Sequence, residues 1–362
     1  MSGAPLDRTR PVRPGEEIDT AALSGWLAAH APELAGPITV EQFPSGHSNL
    51  TYLLRVGERE VVLRRPPFGA AIKTAHDMGR EHRILSALAR VTDKAPRPLA
   101  LCEDAAVLGA PFYVMERVRG VILRGTAPKE AAGLDAAALR RTSTALVDAL
   151  AELHAVDVAA AGLAGLGKPE GYARRQIEGW HGRYFAAKTD ELPAVESVAA
   201  WLLANVPAEG GRVALVHNDF KYDNVVLDPD DLGRVMAILD WEMATIGDPL
   251  FDLGTTLGYW IDPDDGDAMK SLPLGPTLLP GNLDRAGVVA RYEERTGRAA
   301  GDMVLCYVFA LFKIAVIAQQ IYKRFVLGHT KDPRFAAMIV GVQVLGEQAA
   351  RALDRGRIAR LG

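Results

Sequence analysis

Hydrophobic positions change their period about one third of the way along the chain. Residues 38–43, 50–56 and 60–65 are short runs rich in β-branched, aromatic and leucine side chains, separated by Ser45-Gly46-His47-Ser48-Asn49 and by Gly57-Glu58. That pattern predicts a three-strand meander. Residues 99–102 and 112–116 read as two further strands. Two helical patterns accompany them. Asp19 stands before Leu23, Trp26 and Leu27 at helical spacing, which predicts an N-capped helix over 20–30. Residues 76–90 put Met78, Ile84, Leu85 and Leu88 on one helical face with Glu81 among them. From about residue 117 the period is helical over 127–161, 172–205, 307–327 and 334–353. Residues 214–239 are the exception, with apolar runs at 214–216, 225–227 and 235–239 bounded by Asp, Gly or Pro, the mark of short strands with tight connections. The expected fold is therefore α+β with two lobes. A loose arm over 1–17 leads to a small β-rich lobe with one main helix over 18–117, and a larger helical lobe follows over 118–362.

Composition narrows the function classes. With 362 residues, 49% hydrophobic and 24% charged, the chain can fill two packed lobes. A net charge of −4 supplies no basic field for nucleic acid, so no nucleic-acid partner is expected. Cys102 and Cys306 have no paired spacing, which suggests neither a disulfide framework nor a zinc site and fits a reducing cytoplasm. Residues 1–17 lack the apolar core of a secretory signal. The most apolar run, 303–318, carries Lys313 and is short for a membrane span; it is expected to be a buried helix, with no membrane partner.

The chemistry concentrates in residues 215–254, LVHNDFKYDNVVLDPDDLGRVMAILDWEMATIGDPLFDLG. Asp219 and Asn224 fall on the loop between the first two short strands and Asp240 at the end of the third. Carboxylates and a carboxamide there make a poor core, because unpaired buried charge is costly. They suit Mg²⁺, which takes oxygen ligands from one or two carboxylates plus substrate phosphates. The turn at 45–49 can lay backbone N–H groups over a phosphate, although a plain hairpin turn has the same composition. Arg64 ends its strand with a cation, and Glu81 matters only if it meets Arg64.

Together these residues resemble the aminoglycoside phosphotransferase and choline kinase group, a branch of the protein-kinase-like fold, from about Val40 to Gln320. The resemblance is most specific at HNDFKYDN and at ILDWEMATIGDPLFDLG. It implies an ATP-dependent O-phosphotransferase that moves the γ-phosphate of ATP to a hydroxyl of a small molecule. Asp219 stands where the group has its catalytic base, and Asn224 and Asp240 where it binds Mg²⁺. His217 and Asp252 stand where it supports the loop. For ATP the resemblance implies Arg64 with its helix partner Glu81, the turn residues Ser45, Gly46, Ser48 and Asn49, and a hinge at Met115, Glu116 and Val118. Trp241, Glu242, Gln319, Gln320 and Tyr322 are carried over as acceptor-pocket residues.

The chain departs from the group's pattern twice. Arg64 replaces a lysine, which keeps the charge and adds bidentate geometry. Asn218 replaces a glycine in the His-X-Asp loop, and Asn tolerates left-handed backbone angles. Only eleven residues, 241–251, separate Asp240 from Asp252, too few for the segment that holds a peptide in protein kinases. The alternative function is a nucleotide-binding pseudokinase scaffold; the filled base and metal positions argue against it.

The stretches VVLRRPPFG, REHRIL and YARRQIEGW are similar to the kinase-like domain that precedes some acyl-CoA dehydrogenases. That similarity implies a hydroxyacyl-CoA or hydroxy acid as acceptor. Asp262, Asp264, Asp265 and Asp267 offer a competing attraction for a cationic aminoglycoside, although such a run is usually a solvated loop. Lys323, Arg324, Lys331 and Arg334 can meet a CoA phosphate or simply serve helix ends.

Overall fold

The structure is a computed structural model and describes residues 7–44, 49–68, 77–208, 212–330 and 332–362. It divides into two compact units. The first comprises Met1–Ile122, Ala161–Leu163 and Val225–Met243, and the second Leu123–Ala160, Ala164–Asn224 and Ala244–Gly362.

In the first unit α1 (Thr20–His30) precedes β1 (Ile38–Gln42), β2 (Leu50–Val56) and β3 (Arg59–Arg65). Then follow α2 (Met78–Leu88), β4 (Pro98–Cys102), the single turn α3 (Ala105–Leu108) and β5 (Phe112–Glu116). The strands form one antiparallel sheet in the order β1-β2-β3-β5-β4. Alternation decides its two faces. Tyr52, Leu54, Val61, Leu63, Phe112 and Val114 cluster on one face with Leu23 and Leu27 of α1. Asp19 caps α1 as expected, accepting from Ala21 N at 3.0 Å and Ala22 N at 2.9 Å. Residues 7–17 lie along the sheet edge, where Arg10 and Gln42 exchange backbone bonds of 2.8 Å.

One residue out of phase with Leu63, Arg64 points to the opposite face, beside Tyr113 of β5. There α2 packs on β4 and β5. Its buried residues Met78, Glu81, Ile84, Leu85 and Leu88 fall three or four positions apart, so Glu81 lies on the apolar stripe and needs a partner. The hairpin of β7 (Val225–Leu227) and β8 (Val235–Ile238) belongs to this unit. Val121 and Leu227 exchange backbone bonds that tie β7 to the chain after β5. A Cβ on Gly120 would stand 2.4 Å from the Leu227 carbonyl, so only glycine permits that approach.

The second unit is helical: α4 (Ala136–His154), α5 (Tyr172–Ala187), α6 (Pro193–Ala204), α7 (Pro249–Gly258), the single turn α8 (Asp267–Lys270), α9 (Arg285–Thr296), α10 (Val304–Val326) and α11 (Met338–Arg355). The pattern over 127–161 suggested a longer α4, but Asp135 caps the helix by accepting from Ala138 N, and it ends at His154. The short β6 (Ala214–Val216) pairs with β9 (Thr245–Gly247), a strand too short to show a period of its own. By length and composition α10 passes for a membrane span, yet it is buried from Cys306 to Val316 under α5, α7 and α11. A Cβ on Gly254 of α7 would lie 2.6 Å from the Cys306 carbonyl, which shows how closely α7 and α10 approach.

The acidic loop at 262–267 is only in part the solvated run that its composition suggests: Asp264 and Asp267 are exposed. Asp262 and Asp265 are buried against Arg285, whose guanidinium makes a paired contact with Asp265 at 2.5 and 2.7 Å and lies 3.3 Å from Asp262. Arg285 also donates to the carbonyls of Trp260 and Ile358. Removing one partner of a buried charge set leaves the others uncompensated. Arg285→Ala is therefore expected to destabilise the protein by about 3–5 kcal/mol, measured as a lower midpoint in urea with an unchanged slope.

Candidate active site

The site begins with a loop that leaves β6 at Val216 and turns sharply. Asn218 has φ +65°, the left-handed conformation that asparagine tolerates better than most residues. Two successive amides of the loop are held by one side chain. Asp252, one turn into α7 and fully buried, accepts from His217 N at 2.6 Å and Asn218 N at 2.7 Å. His154, at the end of α4, donates Nε2–H to the same carboxylate at 3.1 Å, while its Nδ1 meets the Tyr292 hydroxyl at 2.8 Å. Burial pushes the Asp252 carboxyl up; the hydrogen bond and charge of His154 and the His217 amide outweigh it and hold the pKa below the ordinary value. His217 Nδ1 accepts from Asp219 N at 3.2 Å, so the imidazole braces the next residue of the loop.

Asp219 emerges from this frame with its carboxylate partly exposed, at 17%. Oδ1 accepts from Tyr259 at 2.8 Å and Lys221 at 3.0 Å, and Oδ2 from Lys221 and Asn224, both at 2.9 Å. Burial opposes the charge on Lys221, and the Asp219 carboxylate outweighs it, so the amine pKa is raised. Asn224 gives its amide nitrogen to the side chain and to the backbone carbonyl of Asp219. Its carbonyl oxygen is then the end suited to a cation.

A second polar centre lies within the strand-rich unit. Arg64 Nη1 is 3.0 Å from Glu81 Oε1 and Nη2 is 2.8 Å from Asp240 Oδ1. The Trp241 amide also donates to Glu81 at 3.2 Å, which adds a neutral donor to the buried carboxylate. Burial works against the guanidinium charge, but Asp240 and Glu81 overcome it and Arg64 stays a cation. Asp240 follows β8 with φ +66°, a conformation costing a non-glycine residue roughly 1–2 kcal/mol and met mostly where function or tight packing demands it. Beside this centre Val118 packs with Ile122, Val226, Met236, Ala237 and Leu239 in a small apolar cluster.

A similar arrangement of elements occurs in known proteins. The chain superposes over 94% of its length on 99% of a solved structure from Ralstonia eutropha, described as a candidate aminoglycoside phosphotransferase, with TM-score 0.78 and 34% identity. It shares the fold of aminoglycoside phosphotransferase APH(4)-Ia, solved with AMP-PNP and hygromycin B, at TM-score 0.57 and 18% identity over 91% of this chain and 98% of that one. Human acyl-CoA dehydrogenase family member 11 is 33% identical over 95% of this chain and 44% of its own length. Mouse family member 10 is 34% identical over 90% of this chain and 30% of its own. The model of the phosphotransferase enzyme family matches residues 39–298. The chain belongs to that family.

The fold of this family member is the expected α+β kinase-like one. It spans less than half the length of the curated relatives named above. Its residues fall into two groups by unit. Asp219, Asn224, His217 and Asp252 come together in the second, and Arg64, Glu81, Asp240 and Glu242 in the first, with Asn49 donating to Glu242 at 2.8 Å. Met115 and Glu116 lie at the end of β5, next to Val118. Ser45, Gly46 and Ser48 lie outside the described residues.

Of the acceptor-pocket residues, Trp241 is buried, with its indole donating to the Ile238 carbonyl at 2.9 Å. Gln319 is also buried and donates to the Ala187 carbonyl and to Thr189. Gln320 is exposed and Tyr322 half-buried. Of the basic residues near the end of α10, Lys323 donates to the Ala186 carbonyl.

His154, Lys221 and Tyr259 were not singled out along the chain, and Lys313 stood out only as a charge inside an apolar run. Lys221 carried a local signal, two residues after Asp219. His154 reaches Asp252, and Tyr259 and Lys313 reach the loop, from distant parts of the chain.

Loss of the Asp252 carboxylate orphans two backbone donors, each costing about 1–3 kcal/mol when buried. Asp252→Ala is expected to lower stability by roughly 2–6 kcal/mol. The wild-type contribution has a defined sign. Because the folded pKa lies below the ordinary 3.8, it is present above that pH and lost as pH falls through the folded value. Urea midpoints compared at pH 7 and pH 3 check this, since the gap between wild type and variant should narrow in acid.

Proposed function

We propose that this phosphotransferase transfers the γ-phosphoryl group of ATP to a hydroxyl of a small molecule, with Asp219 as the general base. The observation that carries the reading is the loop frame. One carboxylate is presented, partly exposed, on a backbone pinned by a second and fully buried one. Phosphoryl transfer asks mainly for positioning and charge neutralisation, and a rigid loop supplies the first. In the reaction Asp219 accepts the proton of the acceptor hydroxyl and orients its oxygen. Its oxygens are engaged by Lys221, Tyr259 and Asn224, so the hydroxyl must displace one of these donors.

Asn224 and Asp240, the positions that the family resemblance gives to Mg²⁺, each carry a hard oxygen of the kind that Mg²⁺ takes. When bound, Mg²⁺ supplies neutralisation of the charge on the nucleotide phosphates. Arg64 is read as the contact to the α- and β-phosphates. Its pairing with Glu81 keeps it charged and aimed, and its bond to Asp240 must loosen when Asp240 takes a metal.

Two observations bear on the acceptor. Residues 241–251 are taken up by a 3₁₀ turn at Trp241–Met243, by β9 and by the start of α7, which supports a small molecule over a peptide. Asp262 and Asp265 are spent on Arg285, which weakens the case for a polycation drawn by that loop. Similarity to the acyl-CoA dehydrogenase family members supports a hydroxyacyl-CoA or hydroxy acid.

Asp219→Ala is expected to lower turnover by roughly 10²- to 10⁴-fold, the usual worth of a positioned base, with ATP affinity nearly unchanged. Asp240→Ala should instead weaken binding of Mg–ATP in calorimetric titration. ADP release across a panel of hydroxyacyl-CoAs, hydroxy acids and aminoglycosides identifies the acceptor. Full transfer by both variants would refute the assignment.

A further inference from the structure

Lys313 sits in the middle of α10, inside its most buried stretch, and is 2% exposed. An ammonium in such surroundings is costly and is retained only where it makes a bond that an apolar side chain cannot. Its Nζ donates a short hydrogen bond to the backbone carbonyl of Asn218 and lies 5.8 Å from the Trp180 ring centroid. Burial pushes its pKa down to about 8, against the opposing pull of Asp219 and Asp252, which is the cost expressed as a shift.

Asn218 is the residue in left-handed conformation immediately before Asp219. Three helices hold it through three different groups. Asp252 of α7 accepts from its amide, Tyr172 of α5 donates to its side-chain oxygen at 2.9 Å, and Lys313 of α10 donates to its carbonyl. With the amide fixed on one side of the residue and the carbonyl on the other, the peptide planes flanking Asn218 cannot rotate freely. The direction in which Asp219 leaves the turn is set by that second plane, because the Asn218 carbonyl belongs to the Asn218–Asp219 peptide.

We infer that Lys313 is a positioning residue for the base, fixing the Asn218–Asp219 peptide from the centre of α10 and costing stability for it. This rests on the reading of Asp219 as the base. It makes a prediction opposite in sign to that for a lysine serving only packing.

Lys313→Met keeps most of the volume and removes the buried charge. The expected result is a folded protein with a melting temperature equal to or above that of wild type. ADP release should fall in kcat by roughly 10- to 100-fold, the usual result of displacing a catalytic group slightly. KM for ATP should be little changed. Hydrogen exchange should quicken in a peptide covering residues 215–224 and not along α10.

A lower melting temperature or an unfolded product, with kcat of any folded fraction preserved, would overturn the inference and make Lys313 a stability residue. Asp219→Ala run alongside separates the two failures. If it retains activity, the reading of the base is wrong. If it loses activity while Lys313→Met keeps full kcat, only the positioning role is wrong.

Discussion

The frame of the 217–219 loop depends on one buried carboxylate that bonds to that loop and to the helix end behind it. Asp252 has no exposure to water, so its charge must be met by donors inside the protein. The amides of His217 and Asn218 and the Nε2–H of His154 supply them. Those two amides would otherwise be orphaned donors in a turn too sharp to satisfy them within its own backbone. Carboxylate and loop therefore complete each other. Because α7 follows β9, and β9 is paired with β6, the strand that delivers the loop and the helix that anchors it are fixed in one local unit.

Charge compensation governs three further places, with different consequences. Arg285 with Asp262 and Asp265 is closed and buried, and its role is structural. Arg64 with Glu81 and Asp240 couples a fully buried carboxylate to one that is 30% exposed. Lys221 with Asp219 leaves both partners partly open, at 21% and 17%. The same electrostatic rule thus gives a sealed strut in one setting and a charge open to solvent in another.

Much of this was legible along the chain. The strands at 50–56 and 112–116 and the helix over 20–30 fall where alternation, helical period and the Asp19 cap place them. Asp219, Asn224 and Asp240 were legible because clustered carboxylates at strand ends have no good structural explanation. Glu81 was ambiguous in isolation, since a mid-helix glutamate usually faces water. Its place on the apolar stripe of α2 is what makes a partner obligatory, and Arg64 supplies it. Asp262 and Asp265 misled in the other direction, because the arginine that pairs with them lies some twenty residues on, at the start of α9.

The period of the long elements, the motif loops and the family are written in neighbouring residues. Packing alone brings β6 to β9, His154 to Asp252, Tyr259 to the loop and Lys313 under Asn218. These are contacts between segments 29 to 98 positions apart, and no local pattern encodes them. A lysine in an apolar helix is an anomaly on paper. Its meaning depends on which carbonyl the fold brings within reach of its nitrogen, and that is set by how α10 packs against the helices around it.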